Sequence, residues 1–196
     1  MPAWSSIAEL RKDTVLEAVL RGRAYTFATT WGLFSPKEID PGTRLLLDVV
    51  AVELGDTVLD LGCGYGAIGV ALAKDAPRGT VWMVDKDFVA VAYAQKNALR
   101  NGAHNVNIFL SNAFDQIPKD VRFNCIVSNL PAKVGNELLT LIFHDAYKRL
   151  LPGGRLYVVT IAGLKDFIKR MCKETFGNWT KVKQRGTHMV SLAEKP

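Results

Sequence analysis

Val58-Leu59-Asp60-Leu61-Gly62-Cys63-Gly64-Tyr65-Gly66-Ala67-Ile68-Gly69 decides how the rest of the chain is read. An apolar run ends in an acid and opens into a glycine-rich turn, the sequence form of a first strand, loop and helix in a nucleotide-type α/β domain. Gly62, Gly64 and Gly66 allow positive φ and a close backbone approach to a ligand, with no Cβ in the way. The next apolar run, Val81-Trp82-Met83-Val84, closes on a second acid, Asp85. An acid at that place lies over a ribose and accepts from its hydroxyls, so the two strands together predict an adenosine-containing ligand.

Charge narrows the choice of ligand. Gly64-Tyr65-Gly66-Ala67-Ile68-Gly69 also fits the dinucleotide pattern G-x-G-x-x-G, which would place a pyrophosphate at the helix N-terminus. Asp60 stands just before the loop, where a carboxylate disfavours pyrophosphate and suits the ammonium and sulfonium of S-adenosylmethionine. Asp60-Leu61-Gly62-Cys63-Gly64-x-Gly66 thus resembles motif I of the class I S-adenosylmethionine-dependent methyltransferases.

Strands are expected near residues 57–61, 80–84, 105–110, 123–128 and 155–161, separated by segments long enough for helices. This alternation implies an α/β, doubly wound, mostly parallel Rossmann-like sheet. Asp40-Pro41-Gly42-Thr43 introduces a helix through about Glu53, with proline at its first position. Helices near 88–100 and 136–150 stop at Asn101-Gly102 and at Leu151-Pro152-Gly153-Gly154. Trp179 to Arg185 and Thr187 to Ala193 alternate on either side of Gly186 and read as a hairpin. Such a pair resembles the antiparallel end of the seven-stranded methyltransferase sheet. At the other end, Ser6-Ile7-Ala8-Glu9 has the form of a capping box, and Leu10, Val15, Leu16, Val19 and Leu20 predict an amphipathic helix reaching Leu20. Residues 21–36 lack helical period and are expected as a hairpin or ordered loop. The chain is expected as one domain over 1–196, with the helix and a covering segment at 1–40 and the catalytic core at 41–196.

Beyond the fourth core strand, Phe123-Asn124-Cys125-Ile126-Val127-Ser128 runs into Asn129-Leu130-Pro131-Ala132. The tetrapeptide resembles the N-P-P-aromatic motif of methyltransferases that modify exocyclic amines. The lone pair of such an amine is delocalised into its ring. Accepting its two hydrogens at the Asn129 side-chain oxygen and the Leu130 carbonyl would aim that lone pair at a methyl donor. Leu130 replaces the first proline and keeps the carbonyl. Ala132 replaces an aromatic ring whose stacking on a base is worth about 1–3 kcal/mol. Phe34 and Trp31, in the segment expected to cover the site, are the candidates to supply that ring.

Phe34-Ser35-Pro36-Lys37-Glu38-Ile39-Asp40-Pro41-Gly42-Thr43-Arg44-Leu45-Leu46 looks like the F-S-x-x-x-x-D-x-G-T/S-x-x-L-L signature of the small-domain methyltransferase family. That family includes bacterial 16S rRNA guanine-N2 methyltransferases and compact relatives, and the resemblance runs over about residues 20–195. It implies that Phe34 to Thr43 close over the methionine end of the cofactor. It further implies a cofactor set of Asp60, Gly62, Cys63, Gly64, Gly66, Asp85, Lys86, Asn112, Ala113 and Asn129, with Asn112 toward the adenine amine. Asn129, Leu130 and Pro131 form the implied catalytic group, and Phe34, Trp31 and Ala132 the substrate group.

The remaining features bound the function. A formal charge of +6 and a pI near 9.3 suggest an anionic partner such as RNA. Lys165, Lys169, Arg170 and Lys173, with Lys181, Lys183 and Arg185, are either an RNA-facing patch or a solvated face. Cys63, Cys125 and Cys172 suit neither a disulfide framework nor a zinc cluster, and His104, His144 and His188 lack metal-ligand spacing, so no metal is expected. Cys125 reads as a small buried residue rather than a nucleophile. No run is long and apolar enough to span a bilayer and no signal pattern is present, so a cytoplasmic location without membrane contact is expected. The reading that unites these features is S-adenosylmethionine-dependent methylation of an exocyclic amine of RNA, most simply guanine N2 in ribosomal RNA or a ribosomal subunit. The alternatives are methylation of a small-molecule or protein amine and a non-catalytic RNA-binding assembly factor of the same fold. The oligomeric state is not legible.

Overall fold

The computed structural model describes residues 12–130 and 135–196. The expected loop-flanking strand, β3 (Thr57–Leu61), lies inside a seven-stranded sheet. It pairs in parallel with β4 (Thr80–Asp85) on one side and β6 (Phe123–Asn129) on the other. β5 (Val106–Leu110) and β7 (Leu150–Ile161) extend the parallel part outward. β9 (His188–Glu194) runs antiparallel between β7 and β8 (Thr180–Arg185), giving the order β5-β4-β3-β6-β7-β9-β8. This is the expected mostly parallel sheet with a C-terminal hairpin.

The pleat of β3 sends alternate residues into two cores. Val58 faces α1 (Pro41–Leu47), α2 (Ala67–Asp75) and α3 (Phe88–Arg100), whereas Leu59 and Leu61 face α4 (Asn136–Arg149) and α5 (Lys165–Phe176). α2 is apolar on every side, and Ala67 through Ala73 are all buried between the sheet and the neighbouring helices. Gly69 makes that closeness achievable, because a Cβ there would sit 2.0 Å from Met83 Sδ.

The N-terminal expectation is corrected. Residues 14–20 form not a helix but β1 (Thr14–Leu20), paired with β2 (Arg23–Thr29) in a separate two-stranded sheet. Leu16, Ala18 and Leu20 turn toward the protein while Val15, Glu17 and Val19 point outward, so burial alternates with a period of two although Val15 and Val19 are themselves apolar. Arg21 and Gly22, both at positive φ, make the tight turn that suits a right-twisted hairpin. The capping box at Ser6 to Glu9 lies outside the described residues.

The hairpin is tied to α3 by two asparagines one helical turn apart. Asn97 Oδ1 accepts from Ala28 N at 2.6 Å and Nδ2 donates to Ala28 O at 2.9 Å. Asn101 does the same for Thr26 N and O, both at 3.0 Å. The two side-chain amides thus satisfy backbone groups along β2 as a neighbouring strand would.

Two boundaries also move. α1 ends at Leu47 rather than near Glu53, since Val49 N and Val50 N both close on Leu46 O and Arg21 Nη1 donates to the carbonyls of Leu47 and Val50. β7 begins at Leu150, so the expected helix stop at Leu151 to Gly154 becomes a bulged strand start fixed by Gly153 N donating to Lys195 O at 2.8 Å. Among the described residues no helix is long and apolar enough to cross a membrane, and no group of side chains suits a metal ion.

Candidate active site

The strand order turns between β3 and β6, and at that point a cavity of about 510 Å³ opens beyond the carboxyl ends of the strands. Its wall takes Leu61 from β3, Val84 and Asp85 from β4, Ser128 and Asn129 from β6 and Ile161 from β7. Ser128 Oγ donates to Leu61 O at 2.7 Å and ties the two central strands together at its floor.

The glycine loop adopts the conformation its residues allow, with φ of +75° at Gly62, +54° at Gly64 and +92° at Gly66. A Cβ on Gly62 or Gly64 would meet no protein atom within 4 Å, so both open directly onto free space. Gly66 instead starts α2 and lies against Ala94. Asp85 Oδ2 accepts from Gly64 N at 2.9 Å, and Oδ1 accepts from Asp87 N at 3.0 Å. The cap of α3 is Asp87, whose Oδ1 accepts from Val89 N at 2.8 Å. Asp85 is therefore not the helix cap. Its oxygens keep lone pairs on a cavity wall, with Lys86 beside them.

Asp60 is placed differently from the expectation. It is fully buried and absent from the cavity wall, because the pleat turns its side chain beneath α2, where Oδ2 accepts from Gly69 N at 2.8 Å. Burial raises its pKa to about 7, against the lowering effect of the Gly69 N–H, and the charge of Asp85 adds to the rise. Asp60 thus steadies the first turn of α2 through Oδ2, while its buried Oδ1 has no protein partner among the described residues. Cys63 does line the cavity, and its thiol is pushed well above the ordinary range by burial and by Asp60 and Asp85.

After β5, Ser111 Oγ donates to Ala113 O at 2.8 Å and accepts from Gln116 N at 3.1 Å. This small turn holds Ala113 at φ +49° and leaves Asn112 exposed on the wall. Across the cavity, Asn129 Nδ2 donates to Asp40 Oδ2 at 2.8 Å and to Thr43 Oγ1 at 3.1 Å. Leu130 is buried on the wall and its N donates to Val159 O at 3.0 Å. Pro131 and Ala132 lie outside the described residues.

The two aromatic candidates separate. Phe34 lines the cavity and is 63% exposed, so one ring face is available. Trp31 is 72% exposed on the turn after β2 and contributes nothing to the wall, which corrects its expected place. Tyr65, Leu138, Ile142, Ile161 and His188 also line the wall and had no role in the motif reading. Tyr65 carries a hydroxyl pushed up to about 12, chiefly by burial and further by Asp40. Ile161 and His188 are register partners on β7 and β9. His188 lies against Gly42, where an added Cβ would meet both its ring and Asp40 Oδ2 at 2.9 Å. No hairpin joins β7 to β9, so local pattern carried no signal for this pair.

Two of the basic residues fall on opposite faces of the sheet. Lys183 donates to Asp48 Oδ2 at the end of α1, at 3.4 Å, whereas Lys169 sits 5.3 Å over the ring of Trp179, on the α5 side. The sheet stands between them.

Comparison with known proteins follows the same outline. The uncharacterized protein YbxB of Bacillus subtilis (strain 168) is 34% identical over 179 residues, covering 90% of this chain and 89% of that protein. The ribosomal RNA small subunit methyltransferase C of Citrobacter koseri is 33% identical over 84% of this chain and 48% of its own length. The T. thermophilus 16S rRNA N2 methyltransferase RsmC, solved in complex with AdoMet and guanosine, superposes with a TM-score of 0.85 at 30% identity. That superposition covers 94% of this chain and 51% of the thermophile's, so the chain spans about half the length of these two rRNA enzymes. The Methyltransferase small domain family matches residues 24–191, and this chain belongs to it.

Proposed function

We propose that this chain is an S-adenosylmethionine-dependent methyltransferase acting on an exocyclic amine of RNA, namely guanine N2 of ribosomal RNA, in the cytoplasm. The observation that carries the reading is that Asn129 and Leu130, at the end of β6, line the same cavity as the Gly62–Gly64 loop and Asp85. The residues fit the cofactor, because Gly62 and Gly64 leave open the space a side chain would fill and Asp85 presents acceptors at the end of β4.

S-adenosylmethionine, when bound, supplies a methyl group on a sulfonium. Asp85 would accept from the ribose hydroxyls and Asn112 would face the adenine amine. Lys86 and Ala113 complete that side of the wall. Asn129 Oδ1 and the Leu130 carbonyl would accept the two hydrogens of the substrate amine and direct its lone pair toward the methyl. Phe34 would stack on the guanine ring, replacing the aromatic absent at Ala132. Methylation acidifies the nitrogen, so its proton leaves afterwards without a strong base. The rRNA enzymes similar to this chain, and the AdoMet and guanosine bound to one of them, support this assignment.

The test is transfer of labelled methyl from S-adenosylmethionine to unmodified RNA and to ribosomal subunits of the source cell, with nucleoside analysis of the product. Labelled N2-methylguanosine is the expected result. Label on small or protein amines alone would replace the RNA assignment, and S-adenosylmethionine binding without transfer to any acceptor would point to an assembly role.

A further inference from the structure

Asn129 can hold an amine only if its oxygen, not its nitrogen, faces the cavity. A carboxylate has no hydrogen to give, so Asp40 can face only the nitrogen of that amide. The observed contact obeys this rule, with Asn129 Nδ2 donating to Asp40 Oδ2 at 2.8 Å and to Thr43 Oγ1 at 3.1 Å. Both hydrogens of the amide are thereby used, and Oδ1 is the atom left over.

Asp40 is itself held in place. The same Oδ2 accepts from Thr43 N at 3.0 Å, Asp40 is the N-cap of α1, and Leu45, Leu46 and Leu47 anchor that helix in the core. Resting on the amine-methylation reading, we propose that Asp40 is a positioning residue that fixes the amide of Asn129 with its oxygen toward the substrate. It also imposes an amide, rather than an acid, at position 129. The substrate amine needs only acceptors there, and a carboxylate would supply them. What excludes aspartate is the second carboxylate of Asp40, since two carboxylates at hydrogen-bond distance cannot both stay ionised.

The experiment compares wild type, Asp40→Ser, Asp40→Asn, Asn129→Asp and the double variant Asp40→Asn/Asn129→Asp. Serine keeps a helix cap but is too short to meet position 129, which separates positioning from capping. kcat and KM are measured on the substrate found above, S-adenosylmethionine affinity by calorimetry, and Tm by thermal unfolding. Asp40→Ser is expected to lower kcat about tenfold or more while leaving S-adenosylmethionine affinity within about twofold. Asn129→Asp should lose about a hundredfold and depress Tm, and adding Asp40→Asn should recover about tenfold of that loss and part of the Tm. An unchanged kcat in Asp40→Ser, equal losses in rate and S-adenosylmethionine affinity, or strictly additive effects in the double variant would each overturn the proposal. If wild type transfers no methyl group to RNA or to any amine, the reading beneath it falls. The Tm cycle then still decides whether Asp40 and Asn129 act as a pair.

Discussion

Asp85 at the end of β4 and Asn129 at the end of β6 line one cavity, and substituting each should fail in a different way. Asp85→Ala is expected to weaken S-adenosylmethionine binding by about 1.5–3 kcal/mol, read by calorimetry, because a charged acceptor is lost from the ribose position. An unchanged affinity would remove Asp85 from that role. Asn129→Ala should lower kcat by about a hundredfold in the methyl-transfer assay and weaken S-adenosylmethionine binding far less. Asp60 makes a prediction about pH. Its folded pKa of about 7 lies above the unfolded value near 4, so the folded state binds the proton more tightly and stability falls as pH rises between those values. Asp60→Asn keeps an acceptor for Gly69 N and removes the titration. Its stability relative to wild type, from urea unfolding at a series of pH values, should therefore improve from pH 4 to pH 7 and level off above. A pH-independent difference would contradict the burial of an ionising group. The two carboxylates also show what one dimension carries. The place of Asp85 on the cavity wall was legible because it closes an apolar strand, and cavities in this fold class open at strand ends. The bond of Asp60 to Gly69 N was not legible, because the pleat turns that side chain beneath α2. The bond from Asn129 to Asp40 spans 89 residues and left no trace in local pattern.

At the scale of elements, the parallel strands were legible because each is a short apolar run bounded by turn residues, and the helices because each interval has room for one. The β1–β2 hairpin was not, since Leu10, Val15, Leu16, Val19 and Leu20 follow a helical spacing, the outward Val15 and Val19 mask the alternation of the strand, and the turn uses Arg21-Gly22 in place of an asparagine-glycine pair. Tertiary partners settle the matter through Asn97 and Asn101, whose amides serve β2. Asn97 is fully buried and also donates to Tyr65 O at 2.8 Å, so it joins the hairpin to the glycine loop. Asn97→Ala should cost about 2–4 kcal/mol in urea unfolding, leaving several backbone groups without partners, and hydrogen exchange should show β2 opening first. Loss of less than about 0.5 kcal/mol would mean that water replaces the amide without penalty. Asn101→Ala, nearer the surface, should cost less.

Across the whole molecule, a charge of +6 favours RNA, and Lys183 and Lys169 lie on opposite faces of the sheet. Affinity for RNA should fall with salt at a log–log slope of about −0.7 per neutralised phosphate. A slope near zero would argue for a small acceptor. The order of strands adds a separate consequence. β8 is the outermost strand on one side of the sheet, and among its six residues it carries Lys181, Lys183 and Arg185. A strand with one row of unpaired amides and carbonyls is a template on which another chain can add a strand, and spaced positive charges repel that visitor. Neutralising all three would thus do more than reduce attraction for a polyanion. It would remove the guard on an open edge, and light scattering should register self-association even where RNA is absent.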